Sequence, residues 1–127
     1  MRALVIDDSR AMRMVLGRML GGLGAEVTQA VDGRDGLVKL AEVQEAGQAP
    51  FDLILVDWHM PELEGIDFVA AARATPYSFA GLIVMVTTET EAAQVSRALE
   101  LGADEYVMKP FTQDMIAEKL TLLGLEF

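Results

Sequence analysis

The chain has 127 residues, of which 52% are hydrophobic, and these values suit one domain with a well-buried core. No apolar run approaches the roughly 20 residues that a membrane span needs, and residues 1–4 lack the apolar stretch of a secretory signal. A net charge of −10 argues against nucleic-acid binding, and the lack of cysteine excludes disulfides and thiolate metal sites and suits the cytoplasm, where we expect the protein.

Short apolar runs with strand propensity alternate with longer amphipathic segments along the chain. Apolar steps of three and four in the first long segment mark one face of a helix, and Gly24 lies where a helix commonly ends. Apolar residues at similar spacing predict a second helix. The predicted inward residues of these two helices are Met12, Val15, Leu16, Met19, Leu20 and Leu23, then Leu37, Val38, Leu40 and Ala41.

In the second half of the chain, Thr88 and Glu91 are spaced as a capping box, and Gly102 would end the helix that they begin. Thr112 is placed to cap a last helix. Five strands thus alternate with five helices, which is typical of a parallel sheet covered on both faces. The predicted strands are 3–6, 25–30, 53–56, 82–86 and 105–108, and the helices cover about 12–23, 33–46, 63–74, 88–102 and 112–123.

Polar residues follow four of the predicted strands, at the carboxyl ends where open parallel sheets bind their ligands. Asp7 and Asp8 follow the first strand, Asp57 the third, Thr87 the fourth and Lys109 the fifth. Any one of them could be a turn residue, a helix cap or a solvated lysine. All five at matching strand ends indicate one site.

The chemistry of this site follows from its residue types. Three neighbouring carboxylates raise each other's pKa values unless a cation lies between them. A hard ion such as Mg²⁺ prefers oxygen ligands and commonly binds one or two carboxylates beside a phosphate. A carboxylate can also attack phosphorus, while a metal ion and an ammonium group neutralise the transferred charge. The residues therefore predict metal-dependent phosphoryl transfer to an aspartate.

Five short motifs are spread between about residues 3 and 123. They are Val5-Ile6-Asp7-Asp8-Ser9, Asp57-Trp58-His59-Met60-Pro61 with Gly65, Thr87-Thr88, Gly102-Ala103-Asp104-Glu105-Tyr106 and Lys109-Pro110-Phe111. Together they resemble the receiver domains of two-component signalling, especially the single-domain chemotaxis type. The resemblance implies a flavodoxin-like, doubly wound sheet of five parallel strands in the order 2-1-3-4-5 with five helices. It also implies one receiver domain over residues 1–127, without an attached output domain.

The resemblance assigns roles at the acidic end of the site. Asp57 would be the phosphoacceptor and one of the ligands of Mg²⁺ or Mn²⁺. Asp8 would bind the metal ion directly and Asp7 mainly through water, and the backbone carbonyl of Trp58 would supply a further ligand. The implied phosphodonor is the phosphohistidine of a histidine kinase or of a phosphotransfer protein.

Further implied roles concern the phosphoryl group and the switch. Lys109, aimed by a cis peptide bond to the following proline, would pair with the acceptor and then with a phosphoryl oxygen. Thr87 would donate a hydrogen bond to the phosphoryl group, and its movement would let Tyr106 turn inward. His59 and Glu89 follow the acceptor and Thr87 by two residues each, so both would overhang the phosphoryl group and modulate its lifetime.

The implied output surface is the fourth helix, fifth strand and fifth helix, and its small residues leave the fourth helix thinly anchored. These residues are Ala92, Ala93, Val95 and Ala98. We expect a monomer that binds a phosphodonor protein and a protein output partner, with no nucleic-acid or membrane contact. Such a chain is a signalling switch that catalyses only its own phosphorylation and dephosphorylation.

Three alternatives compete with this interpretation. A phosphatase of the haloacid-dehalogenase type carries its nucleophile on the first strand and a second acid two residues later, where this chain has His59. A flavodoxin-like FMN carrier needs a Ser/Thr/Gly-rich phosphate loop after its first strand, where this chain has an acidic pair. A degenerate receiver, which binds partners without being phosphorylated, is disfavoured because all five site residues are present.

Overall fold

The structure, a computed structural model, describes residues 1–88 and 94–126. Within these residues five strands alternate with five helices, as the sequence predicts. The strands are β1 (Arg2–Ile6), β2 (Glu26–Ala30), β3 (Leu53–Asp57), β4 (Leu82–Thr87) and β5 (Glu105–Met108). The helices are α1 (Arg10–Gly22), α2 (Gly33–Glu45), α3 (Gly65–Arg73), α4 (Val95–Leu101) and α5 (Gln113–Leu122). None of the helices in the described part of the chain is both long and apolar enough to cross a membrane.

All five strands are parallel and pair in the order β2-β1-β3-β4-β5, so the predicted sheet order is confirmed. Every residue of β3 is buried, as are all but the first of β4, because each has a strand on either side and helices over both faces. The register aligns Asp57 with Val86 and Thr87 with Met108. The strands that precede the predicted site residues therefore end along one edge of the sheet.

Two apolar layers flank the sheet, because successive strand residues point to opposite faces. The layer under α2, α3 and α4 includes Leu4, Ile6, Leu40, Ile54, Phe68, Ile83 and Ala98. The layer under α1 and α5 includes Val5, Leu16, Leu20, Leu55, Val84, Ile116 and Leu120. Burying one such leucine, isoleucine or phenylalanine side chain contributes about 1.5–3 kcal/mol, so both layers hold the strand ends in a fixed frame.

Several predicted helix ends are confirmed. Gly24 and Gly102 have φ angles of 89° and 123°, a backbone region that glycine adopts without steric penalty, and each follows the end of a helix. The Thr112 hydroxyl accepts the backbone N–H of Met115 at 3.2 Å and caps α5. Glu91 lies outside the described residues, so its capping box with Thr88 stays a prediction.

The predicted inward face of α2 is partly wrong, because Val38 is 50% exposed. The helix turns Gly36 and Leu40 toward the sheet, and Val38 lies two residues from each, on the far side of the helix. A Cβ atom at Gly36 would come within 2.5 Å of the Ile6 side chain, so the helix packs closely along this glycine. Hydrophobic periodicity cannot predict this contact, because it depends on glycine having no side chain.

Two smaller differences concern α1 and α3. Val15 is 40% exposed rather than inward, since it lies one residue, or about 100°, around the helix from the buried Leu16. The third helix begins at Gly65, two residues later than predicted. Glu62 has a φ of 70° and Glu64 is extended, so the backbone becomes helical only after them.

Candidate functional site

Three carboxylates meet at the carboxyl edge of the sheet. Ile6 pairs with Val56, so the residues that follow them, Asp7 and Asp57, leave adjacent strands at the same level. One carboxylate oxygen from each of Asp7, Asp8 and Asp57 lies within 4.8 Å of the others, a spacing that could hold a metal ion. Asp7 and Asp57 are buried and Asp8 is exposed. The predicted convergence of the three acids is confirmed.

Asp7 is the most deeply buried of the three acids. Its Oδ1 accepts the backbone N–H of Ser9 at 2.8 Å, whereas its Oδ2 is buried without a hydrogen-bond donor from the described residues. Burial raises the pKa of Asp7 from 3.8 to about 6, the Ser9 N–H opposes that rise, and the charge on Asp57 adds to it. A buried, unpartnered carboxylate oxygen is unfavourable, and a hard cation with oxygen ligands would relieve it.

Lys109 supplies the positive charge of the site. Its Nζ lies 3.1 Å from Oδ1 of Asp57, and its backbone N–H donates to the Thr87 carbonyl at 2.8 Å. Burial raises the pKa of Asp57, and the charge and hydrogen bond of Lys109 act against that rise. The peptide bond to Pro110 is cis, as the resemblance implies. An ionised Asp57 thus has a counter-charge within hydrogen-bonding distance.

The backbone beside the acceptor is held on both sides. The Trp58 N–H donates to the Val86 carbonyl at 3.1 Å, and the Trp58 carbonyl accepts the Gly65 N–H at 2.9 Å. A carbonyl oxygen has two lone pairs, so one remains available for a metal ion. A Cβ atom at Gly65 would lie 2.2 Å from the Asp57 carbonyl oxygen, which explains why the start of α3 carries a glycine here. The indole of Trp58 is buried in the core.

Thr87 and His59 differ in burial. Thr87 is fully buried, and its hydroxyl donates to the Thr88 carbonyl at 3.3 Å. His59 is largely exposed, and its Nδ1 lies 3.6 Å from a carboxylate oxygen of Glu64. No sequence pattern indicates this contact with Glu64. Glu89, the second predicted lifetime residue, lies outside the described residues.

Tyr106 is half-buried on β5 and packs against the core layer under α4. The Nζ of Lys119 lies 4.7 Å from the centroid of its ring, and the same Nζ is 3.5 Å from a carboxylate oxygen of Glu105. The ring therefore touches both the core and a charged side chain of α5. Beside it, Val95 and Ala98 anchor α4 with buried side chains, whereas Ala92 and Ala93 lie outside the described residues.

Two arginines were missed by the sequence analysis. Arg13 on α1 donates from Nη1 to the Asp7 carbonyl at 2.7 Å. Arg73, at the end of α3, bonds to chain segments that precede β4 and β5, at the amino edge of the sheet. It donates to the carbonyls of Phe79, Gly81 and Gly102 at 2.8, 2.7 and 2.9 Å, and to the Asp104 carboxylate at 2.9 Å. The hydrogen-bond partners of Arg13 and Arg73 could not be predicted from the sequence, because these carbonyls come together only in the folded chain.

A sequence model of the response regulator receiver domain matches residues 3–121. The chain belongs to the response regulator receiver family. This receiver is 37% identical to chemotaxis protein CheY1 of Helicobacter pylori over 124 residues, which cover 97% of this chain and 96% of that protein. It is 34% identical to chemotaxis protein CheY of Pseudomonas aeruginosa over 120 residues, 94% of this chain and 93% of that protein. The solved structure of CheY4 of Vibrio cholerae superposes with a TM-score of 0.81 at 33% identity and covers 96% of this chain and 97% of that one.

The family assignment bears on the alternatives. The structure has the sheet order and helix arrangement of CheY-like receivers, with Asp57 on the third strand rather than the first. That position disfavours the dehalogenase-type phosphatase. The acidic pair after β1 disfavours an FMN phosphate loop, because two carboxylates would repel a phosphate. A degenerate receiver shares the fold, so only the chemistry of the site separates it from a phosphorylated one.

Proposed function

We propose that this receiver accepts a phosphoryl group on Asp57 from the phosphohistidine of a histidine kinase or phosphotransfer protein, in a reaction that needs Mg²⁺ or Mn²⁺. The observation that carries the proposal is the setting of Asp57. It lies within 4.8 Å of two further carboxylates and 3.1 Å from the ammonium group of Lys109. A nucleophilic carboxylate, a place for a divalent ion and a neighbouring positive charge are the parts that phosphoryl transfer to an aspartate requires.

The residues present fit a hard divalent ion. Asp8 and Asp57 would bind it directly, Asp7 mainly through water, and the free lone pair of the Trp58 carbonyl would complete the protein's share. The buried Oδ2 of Asp7 supports this assignment, because it has no donor from the described residues. When bound, the ion would neutralise charge on the transferred phosphoryl group.

In the proposed reaction an Asp57 oxygen attacks the phosphorus of the phosphohistidine. The new P–O bond forms as the P–N bond breaks, and the departing imidazole nitrogen keeps the bonding electron pair and takes a proton from solvent. Lys109 then exchanges its Asp57 partner for a phosphoryl oxygen, and Thr87 donates a second hydrogen bond. We propose that hydrolysis of the acyl phosphate resets the switch and that His59 and Glu89, which follow Asp57 and Thr87 by two residues each, modulate the access of water.

The proposed output is a change at the surface of α4, β5 and α5. Phosphorylation adds charge and acceptor oxygens, which draw the Thr87 hydroxyl away from the Thr88 carbonyl. The vacated space favours an inward Tyr106, a ring that is stable either buried or at a surface because its hydroxyl is polar. We propose that the receiver acts in the cytoplasm as a monomer, with residues 1–127 as one domain. Its partners would be a phosphodonor and a protein target, not nucleic acid or membrane.

The test is incubation with a small-molecule phosphodonor such as acetyl phosphate, with and without Mg²⁺, followed by intact-mass measurement. We expect a metal-dependent gain of one phosphoryl group in the wild type and none in Asp57→Asn. Asp67→Asn, which changes an exposed acid on α3, is the matched control and should gain the group normally. A wild type that stays unmodified in Mg²⁺ would instead support the degenerate receiver.

A further inference from the structure

Arg13 links the first helix to the backbone between the two acids that follow β1. Its Nη1 donates to the carbonyl oxygen of Asp7 at 2.7 Å, and its Nε donates to the side-chain oxygen of Gln29 on β2 at 3.3 Å. The Arg13 side chain is half-buried between these partners. A guanidinium offers several donors in a fixed plane, so two contacts on different elements hold it in one orientation.

The contact with Asp7 fixes a particular peptide group. The N–H of Asp7 donates to the Ala30 carbonyl at 3.2 Å and so holds the peptide that precedes Asp7. Its carbonyl belongs to the next peptide, which joins Asp7 to Asp8, and this is the group that Arg13 holds. The exposed Asp8 side chain accepts no hydrogen bond from the described residues, so its direction depends on the backbone from which it leaves.

We propose that Arg13 is a positioning residue for the divalent-cation site. By fixing the Asp7–Asp8 peptide, it aims the Asp8 carboxylate at the position that the ion occupies. The proposal rests on the proposed function, because it presupposes that the acid cluster binds Mg²⁺. Arg13 itself touches neither the ion nor the phosphoryl group; its effect passes through the backbone.

Electrostatics alone predicts the opposite effect of removing Arg13. A fixed positive charge beside a cation site repels the cation, so its loss should tighten Mg²⁺ binding. Loss of positioning should weaken binding instead. Loss of a hydrogen bond from a charged donor is large enough to change the Mg²⁺ affinity about tenfold, which corresponds to about 1.4 kcal/mol. The direction of the change therefore separates the two effects.

The experiment is calorimetric titration of the intact chain with MgCl₂ at fixed ionic strength. Arg13→Gln removes the charge and the fork of donors, and Arg13→Lys keeps the charge but offers only a point donor. Arg18→Gln is the matched control, since it removes the same charge from an exposed position of the same helix. We expect Arg13→Gln to bind Mg²⁺ about tenfold more weakly than the wild type, Arg13→Lys several-fold more weakly, and Arg18→Gln equally or slightly more tightly.

A second measurement needs no metal ion. In EDTA, the amide resonances of Asp8 and Ser9 should shift in both Arg13 variants and stay in place in Arg18→Gln. Unfolding curves in urea will show whether the variants fold, and Arg13→Lys keeps the test decisive should the glutamine variant fail to fold. Mg²⁺ binding by the Arg13 variants as tight as that of the wild type would overturn the inference while leaving the proposed function intact. A wild type that binds no Mg²⁺ would overturn both.

Discussion

Replacing Asp7 with asparagine should stabilise the metal-free protein, although it removes a residue of the site. The buried carboxylate has a pKa of about 6 in the folded chain, against an ordinary value of 3.8. A difference of about two units, at roughly 1.4 kcal/mol per unit, means that the ionised group costs about 3 kcal/mol of folding free energy above pH 6. The asparagine amide would itself be left with an unsatisfied N–H, which costs about 1–3 kcal/mol. The expected net gain is at most about 2 kcal/mol.

The pH dependence of this gain has a definite sign. Above pH 6 the carboxylate is ionised in both the folded and the unfolded chain, so the wild type bears the full cost. Between about pH 4 and pH 6 the folded wild type binds a proton that the unfolded chain does not, so its stability rises as the pH falls. The advantage of Asp7→Asn should therefore be largest at pH 8 and decline toward pH 4.

The assay is urea unfolding in EDTA at several pH values, followed by the fluorescence of the buried Trp58. Asp8→Asn, the exposed neighbour, is the control and should change the unfolding free energy far less. An Asp7→Asn protein that is less stable than the wild type at pH 8 would refute the reasoning. So would an advantage that is the same at pH 4.5 as at pH 8. Addition of Mg²⁺ should erase the difference, because a ligand that binds only the folded state stabilises it, and the wild type should bind more tightly.

Two further predictions concern the metal ion and the switch. Asp8→Ala should weaken Mg²⁺ binding about tenfold or more in calorimetric titrations, because it removes a direct carboxylate ligand; an unchanged affinity would contradict the assignment. Thr87→Ala should still accept a phosphoryl group on Asp57 but lose the coupling to Tyr106. Nuclear magnetic resonance of the Tyr106 ring, with and without a beryllofluoride mimic, checks this, and an equal response in wild type and Thr87→Ala would contradict it.

The positions of Asp7, Asp57 and Lys109 could be predicted from the sequence because a parallel sheet leaves few choices. Once the alternation of strands and helices is recognised, residues that follow adjacent strands must emerge along one edge. The third and fourth strands are apolar except for their last residues and lie inside the sheet, because strands that are covered on both faces carry apolar residues on both.

The contacts of Arg13, Arg73 and Glu64 could not be predicted in this way. Each joins a side chain to partners whose positions depend on how helices pack, and hydrophobic periodicity carries no information about them. The wrong prediction of an inward Val38 has a related cause. Gly36 lets α2 approach the sheet closely, and this contact determines which face of the helix is buried. Contacts that depend on glycine, or on backbone carbonyls as acceptors, are the part of this fold that the apolar pattern leaves unspecified.

The Arg73 contacts also indicate which connection should not be used for an insertion or for new chain termini. In the connection between α3 and β4, the carbonyls of Phe79 and Gly81 both accept hydrogen bonds from the Arg73 guanidinium. A peptide inserted there would break these hydrogen bonds. Residues 46–48, between α2 and β3, are exposed, whereas the Ala49 carbonyl that follows them accepts a hydrogen bond from the Arg2 guanidinium. Exposed connections with few internal contacts accept insertions and new termini best. A reporter domain or a circular permutation should therefore be introduced at residues 46–48, which precede the amino end of β3, whereas the acids and Lys109 lie at the carboxyl edge of the sheet.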